Sequence, residues 1–161
     1  MLYSPTYEHD ACGVGMVVHL HGNKSHQLVD DALRVLENME HRGAETRDGS
    51  GDGAGILLQI PHEFILLQGI PVPEKGHYGT GILFLPRDPA RQEALLGILR
   101  EETEREGLQL MHLREVPVCE EVAGEAARRV MPAIRQVFIT GSETAGLALE
   151  RSLYRIRNTV E

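Results

Sequence analysis

Cysteine is scarce in this 161-residue chain, and the two cysteines, Cys12 and Cys119, form no C-x-x-C pair. This scarcity argues against a disulfide scaffold and against a zinc site. The chain also has no run of about 18 apolar residues, which argues against a transmembrane helix. Its N-terminus lacks the basic-then-apolar pattern of a signal peptide. We therefore expect a cytoplasmic protein with no membrane partner.

Basic residues are too few and too dispersed to form a nucleic-acid binding surface. The chain has 24 acidic and 16 basic residues, a net charge of −8, and no basic block. Nucleic acid is therefore excluded as an expected partner. No P-loop, G-x-G-x-x-G or H-E-x-x-H motif occurs. The 42% hydrophobic and 25% charged content is that of an ordinary globular chain, which is long enough to bury a core.

The hydrophobic pattern predicts strands that alternate with helices and are joined by short connections. Strands are predicted at 14–20, 56–60, 77–85, 108–116 and 133–140. Helices are predicted at 25–40, at 89–106 after the Asp88 N-cap, near 120–130 and from 149 onward. Residues 44–55 are predicted to form a glycine-rich loop.

The last predicted helix has an apolar face but no glycine or proline stop signal. Its apolar residues recur at helical spacing as Leu149, Leu153, Ile156 and Val160. We expect this face to lack its packing partner, to favour self-association, and to continue into further chain in the native protein.

Cys12 lies between a polar leader, residues 1–11, and an apolar run. The cysteine alone is more typical of a buried core thiol. If the bond between Ala11 and Cys12 were cleaved, Cys12 would carry both a nucleophilic thiol and a free α-amine. That amine, with a pKa of about 8, could act as the base at neutral pH. Gly13 and Gly15 would then let the backbone pass close to a small substrate.

Three motifs in one order give the chain a specific family resemblance. They are the stretch from Tyr7 to Gly15, then His41-Arg42-Gly43-Ala44, then Asp48-Gly49-Ser50-Gly51-Asp52-Gly53-Ala54-Gly55-Ile56. Together they resemble the start of the large subunit of glutamate synthases, whose N-terminal region is a class II glutamine amidotransferase domain of the N-terminal nucleophile hydrolases. The resemblance continues through residues 132–138 and 150–157.

The resemblance implies an α+β fold, the four-layer αββα sandwich of the N-terminal nucleophile hydrolases, here incomplete. It implies a leader or propeptide at 1–11 and, at 12–161, the N-terminal portion of the amidotransferase domain. The family domain is much longer than this chain, so we expect the chain to be a fragment.

The resemblance also implies a mechanism in which Cys12 is the catalytic nucleophile. Glutamine is the implied substrate, a γ-glutamyl thioester the intermediate, and ammonia for the amination of 2-oxoglutarate the product. A synthase domain or a complementary chain is the implied partner. The family FMN and iron–sulfur cluster are expected to bind elsewhere, so no cofactor and no metal are assigned to this chain.

Arg42, Gly13 and Gly43 are assigned to the active-site or substrate region. From its position alone, Arg42 could simply be a cation placed favourably at a helix C-terminus. The resemblance places it near the nucleophile, where its permanent charge could lower a thiol pKa or orient a substrate carboxylate.

Part of the family machinery is missing from the sequence. The family supplies its oxyanion hole from an Asn-Gly pair further along the chain, and no Asn-Gly dipeptide occurs here. Loss of one such donor typically costs roughly 100- to 1,000-fold in rate. We therefore expect the chain alone to be inactive. The alternative is a non-catalytic half-domain that acts as an interaction or regulatory module with a complementary chain.

Two other patterns suggest metal sites but are incomplete. Residues 48–53 have the spacing of the first half of a calcium loop, but Gln59 stands where a bidentate glutamate is required. We therefore expect Asp48 and Asp52 to accept hydrogen bonds from loop amides. His19 and His21 have no third ligand at a suitable spacing. Cys119 is interpreted as a structural cysteine.

Overall fold

The computed structural model describes residues 13–43, 47–51, 53–141 and 144–161. Two compact units are present. The first, called the N-terminal unit, comprises the described residues up to Leu58 together with Glu120–Arg129. The second, called the sheet unit, comprises Gln59–Cys119 and Val130–Glu161. The assignment of 1–11 as a leader and 12–161 as part of one domain stays a prediction.

The sheet unit is built on a three-stranded antiparallel sheet. Its strands are β1 (Tyr78–Leu85), β2 (Gln109–Glu115) and β3 (Ala133–Thr140). β3 lies between β1 and β2, so that Thr140 is opposite Tyr78 on one side and Gln109 on the other. The sequence therefore predicted these three strands to within a residue or so at each end.

Helix α3 (Pro89–Arg105) begins and ends at the signals that the sequence contains. The Asp88 carboxylate accepts a hydrogen bond from the Arg91 backbone N–H at 2.8 Å, and proline occupies the first helical position. Just beyond the helix, Gly107 has a φ of +73°, which favours glycine. Both ends confirm the prediction, because capping depends on local residues only.

Helix α5 (Gly146–Val160) packs with α3 against one face of the sheet. Leu149 and Ile156 are buried in a core that also contains residues of β1, β3 and α3, and Leu153 and Val160 pack against it. The prediction that this helical face lacks a partner is therefore wrong. The partner is the sheet and α3, which the helical pattern alone could not identify.

Helix α2 (His62–Leu67) covers part of the opposite face of the sheet. Its Ile65 is buried in a second cluster with Tyr78 and Phe138, together with Ile70 and Val72. Since successive strand residues point to opposite faces, Phe138 faces α2 while its β3 neighbours face α3 and α5. The sheet unit thus has three layers, with α3 and α5 on one face of the sheet and the shorter α2 on the other.

The N-terminal unit contains α1 (His26–Asn38), a 3₁₀ turn (Glu40–Arg42), a second 3₁₀ turn (Glu120–Val122) and α4 (Glu125–Val130). The predicted helix at 25–40 is confirmed. Its apolar stripe is half-buried and consists of Leu28, Ala32, Leu36 and Met39. The helix predicted near 120–130 is present as the second 3₁₀ turn followed by α4.

The two predicted strands at 14–20 and 56–60 are absent from the structure. Val14, Met16, Val18 and Leu20 are 90%, 87%, 67% and 91% exposed, and Leu57 is 99% exposed. Both predictions are wrong because they rested on apolar composition alone, which favours burial but does not by itself specify a strand. A strand additionally requires a hydrogen-bonded neighbour, which neither segment has among the described residues.

The described residues form a mixed α/β structure with a small antiparallel sheet, which agrees with the predicted mixed class. The four-layer sandwich stays a prediction. Within the described ranges, no helix is both long enough and apolar enough to cross a membrane.

Candidate functional site

The predicted nucleophile and its cleavage site precede the described part of the chain. Cys12 and Ala11 lie outside the described residues, and so does the leader. The first described residue is Gly13, which is bonded to Cys12.

The structure places Gly13 against the side chain of Arg42. A Cβ atom built on Gly13 would lie 3.2 Å from Arg42 Cδ and 3.4 Å from Arg42 Nε. Met39 Sδ would be 3.1 Å from the same point. Two of the residues assigned to the active site from the sequence, Gly13 and Arg42, are therefore in contact although 29 positions separate them.

The end of α1 places Arg42 beside Gly13. After the helix ends at Asn38, the Arg42 N–H donates to the Met39 carbonyl at 2.9 Å, and the Gly43 N–H donates to the Glu40 carbonyl at 3.0 Å. This 3₁₀ turn holds Arg42 one turn beyond the helix, with its side chain exposed. Gly43 has an extended backbone, with a φ of −89°. Its role is therefore not that of a left-handed stop.

The segment that follows Cys12 alternates between helix-facing and exposed positions. Gly13 and Gly15 face α1, while Val14 and Met16 are almost fully exposed. A Cβ atom at Gly15 would collide with Val35 Cγ1 on α1. The two glycines thus allow the backbone to lie directly on helical side chains. The sequence analysis predicted instead that these glycines let the backbone pass close to a small substrate.

The glycine-rich loop is tied to the N-terminus of α4. Asp48 Oδ1 accepts a hydrogen bond from the Ser50 N–H at 3.2 Å, and Oδ2 accepts from the Ser50 hydroxyl at 3.0 Å and from the Ala126 N–H at 2.8 Å. The expectation that Asp48 bonds to loop amides is confirmed. Asp52 lies outside the described residues. The carboxylate of Asp48 is thus already engaged by protein donors.

Gly124 packs closely against the glycine-rich loop, a contact that the sequence analysis missed. A Cβ atom there would lie 2.6 Å from the Asp48 carbonyl oxygen and 2.8 Å from the Ser50 nitrogen, and would also collide with the Ser50 hydroxyl. Only glycine fits this contact. The available signal was a lone glycine inside the helix predicted near 120–130, where glycine costs about 1 kcal/mol relative to alanine.

The structure also describes His19, His21 and Cys119. His19 Nδ1 accepts hydrogen bonds from the backbone N–H groups of His21 and Asn23, both at 3.3 Å. This nitrogen stabilises the turn after the 13–20 segment. Cys119 is exposed just before the second 3₁₀ turn. Among the described residues, no group of three or more His, Cys, Asp or Glu side chains could hold a metal ion.

The described groups with shifted pKa values lie in the sheet unit, and Tyr78 and Glu106 are two of them. Burial is the main cause that raises the pKa of the Tyr78 hydroxyl, and Glu63 adds to it while Lys75 opposes it. Tyr78 therefore stays neutral at neutral pH, with its hydroxyl 3.1 Å from His62 Nδ1. A hydrogen bond from Arg155 lowers the pKa of Glu106. These groups stabilise the sheet unit and are not part of the Arg42 contact.

The chain is similar to several glutamate synthases. It is 38% identical over 165 aligned residues to the large chain of NADPH glutamate synthase from Bacillus subtilis, with 99% of this chain and 11% of that protein covered. It is 39% identical over 159 residues to ferredoxin-dependent glutamate synthase 2 from Synechocystis, with 95% and 10% covered. It is 42% identical over 144 residues to the NADH glutamate synthase of Saccharomyces cerevisiae, with 84% of this chain and 7% of that protein covered.

The chain therefore spans about a tenth of the length of these relatives. The family model of class-II glutamine amidotransferases matches residues 12–161. Since that is nearly the entire sequence, the chain belongs to the class-II glutamine amidotransferase family.

Proposed function

We propose that this chain is the glutaminase portion of a glutamate synthase, and that Cys12 is its nucleophile. The observation that carries the proposal is that the family match begins at residue 12, which is a cysteine. The next residue, Gly13, lies against the side chain of Arg42. A nucleophile that uses its own α-amine must be the first residue of the active protein. The family match begins at Cys12, which supports Cys12 as the first residue of the active protein.

In the proposed reaction, the bond between Ala11 and Cys12 is first cleaved, which frees the α-amine. The amine takes the thiol proton, and the sulfur attacks the side-chain amide carbon of glutamine. The C–N bond breaks, the departing nitrogen receives a proton, and ammonia leaves. Water then attacks the γ-glutamyl thioester, the C–S bond breaks, and glutamate is released with the thiol restored.

Arg42 is proposed to act on this reaction through its charge. Its side chain lies against Gly13, one residue from the thiol. A permanent cation near the thiol would favour the thiolate form of cysteine and could pair with the α-carboxylate of glutamine. Gly43 ends the turn that presents Arg42, so its proposed role is to shape the substrate region.

The amination of 2-oxoglutarate is proposed to occur outside this chain, in a synthase domain or a complementary chain. The relatives are about ten times longer than the matched region, which leaves ample chain for a second active site. We place the FMN and the iron–sulfur cluster of the complete enzyme there as well. A cytoplasmic location is part of this proposal.

The complete domain is proposed to adopt the four-layer αββα sandwich. The three-stranded sheet with helices on its outer face would supply part of one half of it. The oxyanion hole would come from a further segment, since no Asn-Gly dipeptide occurs in this sequence. On this proposal, the 161-residue chain alone does not turn over glutamine.

A pair of cysteine variants in the complete synthase tests the proposal. Cys12→Ala should abolish glutamine-dependent glutamate synthesis and leave ammonia-dependent synthesis in place, because only the source of ammonia is lost. Cys119→Ala is the matched control and should leave both activities unchanged. If Cys119→Ala instead removes the glutamine-dependent activity, the nucleophile is wrongly assigned.

Intact-mass analysis of the active enzyme tests the cleavage step. We expect the mass of a chain that begins at Cys12. An enzyme that uses glutamine while it retains residues 1–11 would exclude the N-terminal nucleophile mechanism. A protein that retains them and has no glutaminase activity in the complete synthase would favour the non-catalytic, interacting half-domain.

A further inference from the structure

We propose that α4 and the described part of the glycine-rich loop, residues 47–51, form a loop strap, which is a paired element whose two parts order and open together. Both parts lie in the N-terminal unit, and 78 positions separate Asp48 in the loop from Ala126 in the helix. The loop strap is a conformational device of the fold. Neither the position of Cys12 nor the proposed reaction enters into it.

The start of α4 lacks a capping side chain of its own. Gly124 precedes the helix, and its carbonyl accepts the Arg128 N–H at 3.0 Å, which is the first hydrogen bond of the helix. The residue in this place is often Ser, Thr, Asp or Asn, whose side-chain oxygen accepts the N–H of the second or third helical residue. Because glycine has no such oxygen, the first backbone N–H groups of α4 need acceptors from elsewhere.

The glycine-rich loop supplies those acceptors. Asp48 Oδ2 accepts the Ala126 N–H at 2.8 Å, and the Ser50 hydroxyl accepts the Ala127 N–H at 3.4 Å. Ala126 and Ala127 are the second and third residues of α4, whose N–H groups a capping side chain ordinarily accepts. The Asp48 carboxylate also lies at the positive end of the helix dipole, where a negative charge is stabilising. Asp48 and Ser50 therefore cap α4 in place of a local residue.

The missing side chain at Gly124 is what lets the loop come this close. A Cβ atom there would lie 2.6 Å from the Asp48 carbonyl oxygen and 2.8 Å from the Ser50 nitrogen. Both are backbone atoms, so rotation of a side chain does not relieve the contact. The φ of Gly124 is not positive, so alanine could adopt its backbone conformation. Packing against the loop is therefore the reason for glycine in this place.

Each part of the loop strap is marginal by itself. α4 has six residues, none of them buried, and isolated helices shorter than about 12 residues are marginal in water. The loop orders glycines, which lose more conformational entropy than any other residue, and Gly49 has a φ of +76°. The two cap bonds therefore couple the helix to the loop, so that the pair behaves as one local folding unit.

Hydrogen exchange of the full chain, measured peptide by peptide by mass spectrometry, tests this coupling. Asp48→Ala removes the shorter cap bond, so exchange should become about fivefold faster in the α4 peptide, since loss of a cap costs roughly that factor in a local equilibrium. The peptide that covers residues 47–51 should exchange faster as well. Asp48→Asn keeps an oxygen acceptor and should retain most of the protection of α4, because Asn caps helices about as well as Asp.

Gly124→Ala tests the same coupling from the other side. The added Cβ pushes α4 off the loop while every loop residue stays the same, so exchange in the 47–51 peptide should rise by a similar factor. Asp88→Ala is the matched control, because Asp88 caps α3 from within its own segment by accepting the Arg91 N–H at 2.8 Å. Its loss should speed exchange at the start of α3 and leave both parts of the loop strap unchanged.

The proposal is overturned if Asp48→Ala leaves exchange in α4 unchanged, or if Gly124→Ala leaves it unchanged at 47–51. Faster exchange in the β3 peptide as well would indicate global unfolding and would contradict a local device. Should Gly124→Ala fail to fold, the comparison of Asp48→Ala with Asp48→Asn keeps the test, because both variants retain the glycine. Equal exchange of the α4 peptide in those two variants would count against the loop strap.

Discussion

At Gly79 the side chain of Leu153 occupies the space in which a Cβ atom would stand. A Cβ there would collide with Leu153 Cδ1 and lie 3.2 Å from Cδ2. Gly81, two positions along β1, has only an ordinary 3.7 Å contact with Val137 Cγ1. The two glycines share a strand and a face, yet only one of them is required by packing.

Gly79→Ala should therefore destabilise the chain by about 1–3 kcal/mol, the usual cost of overpacking a core. Gly81→Ala should stay within about 0.5 kcal/mol of the wild type. Urea unfolding of both variants gives the comparison. Equal free energies of unfolding for the two variants would mean that α5 does not rest on β1 at Gly79.

At the scale of elements, one ion pair joins the two long helices of the sheet unit. Arg155 Nε on α5 donates to both carboxylate oxygens of Glu106, each at 2.9 Å, just beyond α3. Arg155 also donates to the Ser152 hydroxyl at 3.0 Å. The hydrogen bond from Arg155 lowers the pKa of Glu106 below its ordinary value of 4.5. The pair thus contributes stability only while Glu106 is ionised.

The sign of the pH dependence follows from this lowered pKa. A carboxyl with a depressed folded pKa stabilises the fold above its unfolded pKa and loses that contribution as the pH falls through the folded pKa. Arg155→Met should therefore be less stable than the wild type at neutral pH, and the difference should shrink as the pH is lowered below 4.5. Urea unfolding across that range measures it.

Arg157→Met is the matched control for this prediction. Arg157 pairs with Glu161, the residue directly after α5, so this ion pair does not join two helices. We expect a smaller change with weaker dependence on pH. A pH-independent difference for Arg155→Met would show that the arginine acts through packing of its aliphatic stem and not through its charge.

The secondary structure was predictable wherever the signals are local. The Asp88 cap, the Gly107 stop and the presence of strand β2 each depend on neighbours in sequence, and all three were confirmed. Residues 110–114 of β2 are all half-buried, so their burial does not alternate. The errors at 14–20 and 56–60 arose where the outcome depended on a strand partner. The burial of Leu149 was likewise missed, because its neighbours on the sheet are distant in sequence.

At the scale of the whole molecule, the burial of the α5 face removes one reason to expect self-association. Two reasons for inactivity remain in the proposal, which are the acylated nitrogen of Cys12 and the absent oxyanion pair. Cleavage of the leader repairs only the first. In a chain that begins at Cys12, the missing oxyanion donors are therefore the reason to expect low glutaminase activity.

A chain that begins at Cys12 and ends at Glu161 should release glutamate from glutamine at least about 100-fold more slowly than the complete domain, because one missing oxyanion donor alone costs that much. A glutaminase assay on both proteins measures the ratio. Turnover within about tenfold of the complete domain would contradict the dependence on a further segment. The same chain with Cys12→Ala provides the background rate.

The sequence by itself determined the family, through three ordered motifs, and the helix ends and strands that rely on local signals. It also pointed to Cys12, Gly13, Arg42 and Gly43, although the role of each stays a proposal. Only the tertiary structure decided that Gly13 touches Arg42, that Gly15 rests on Val35, and that the Asp48 loop is tied to α4. The physical reason is that these contacts join residues far apart in sequence, and van der Waals fit between them leaves no periodic pattern in a single chain.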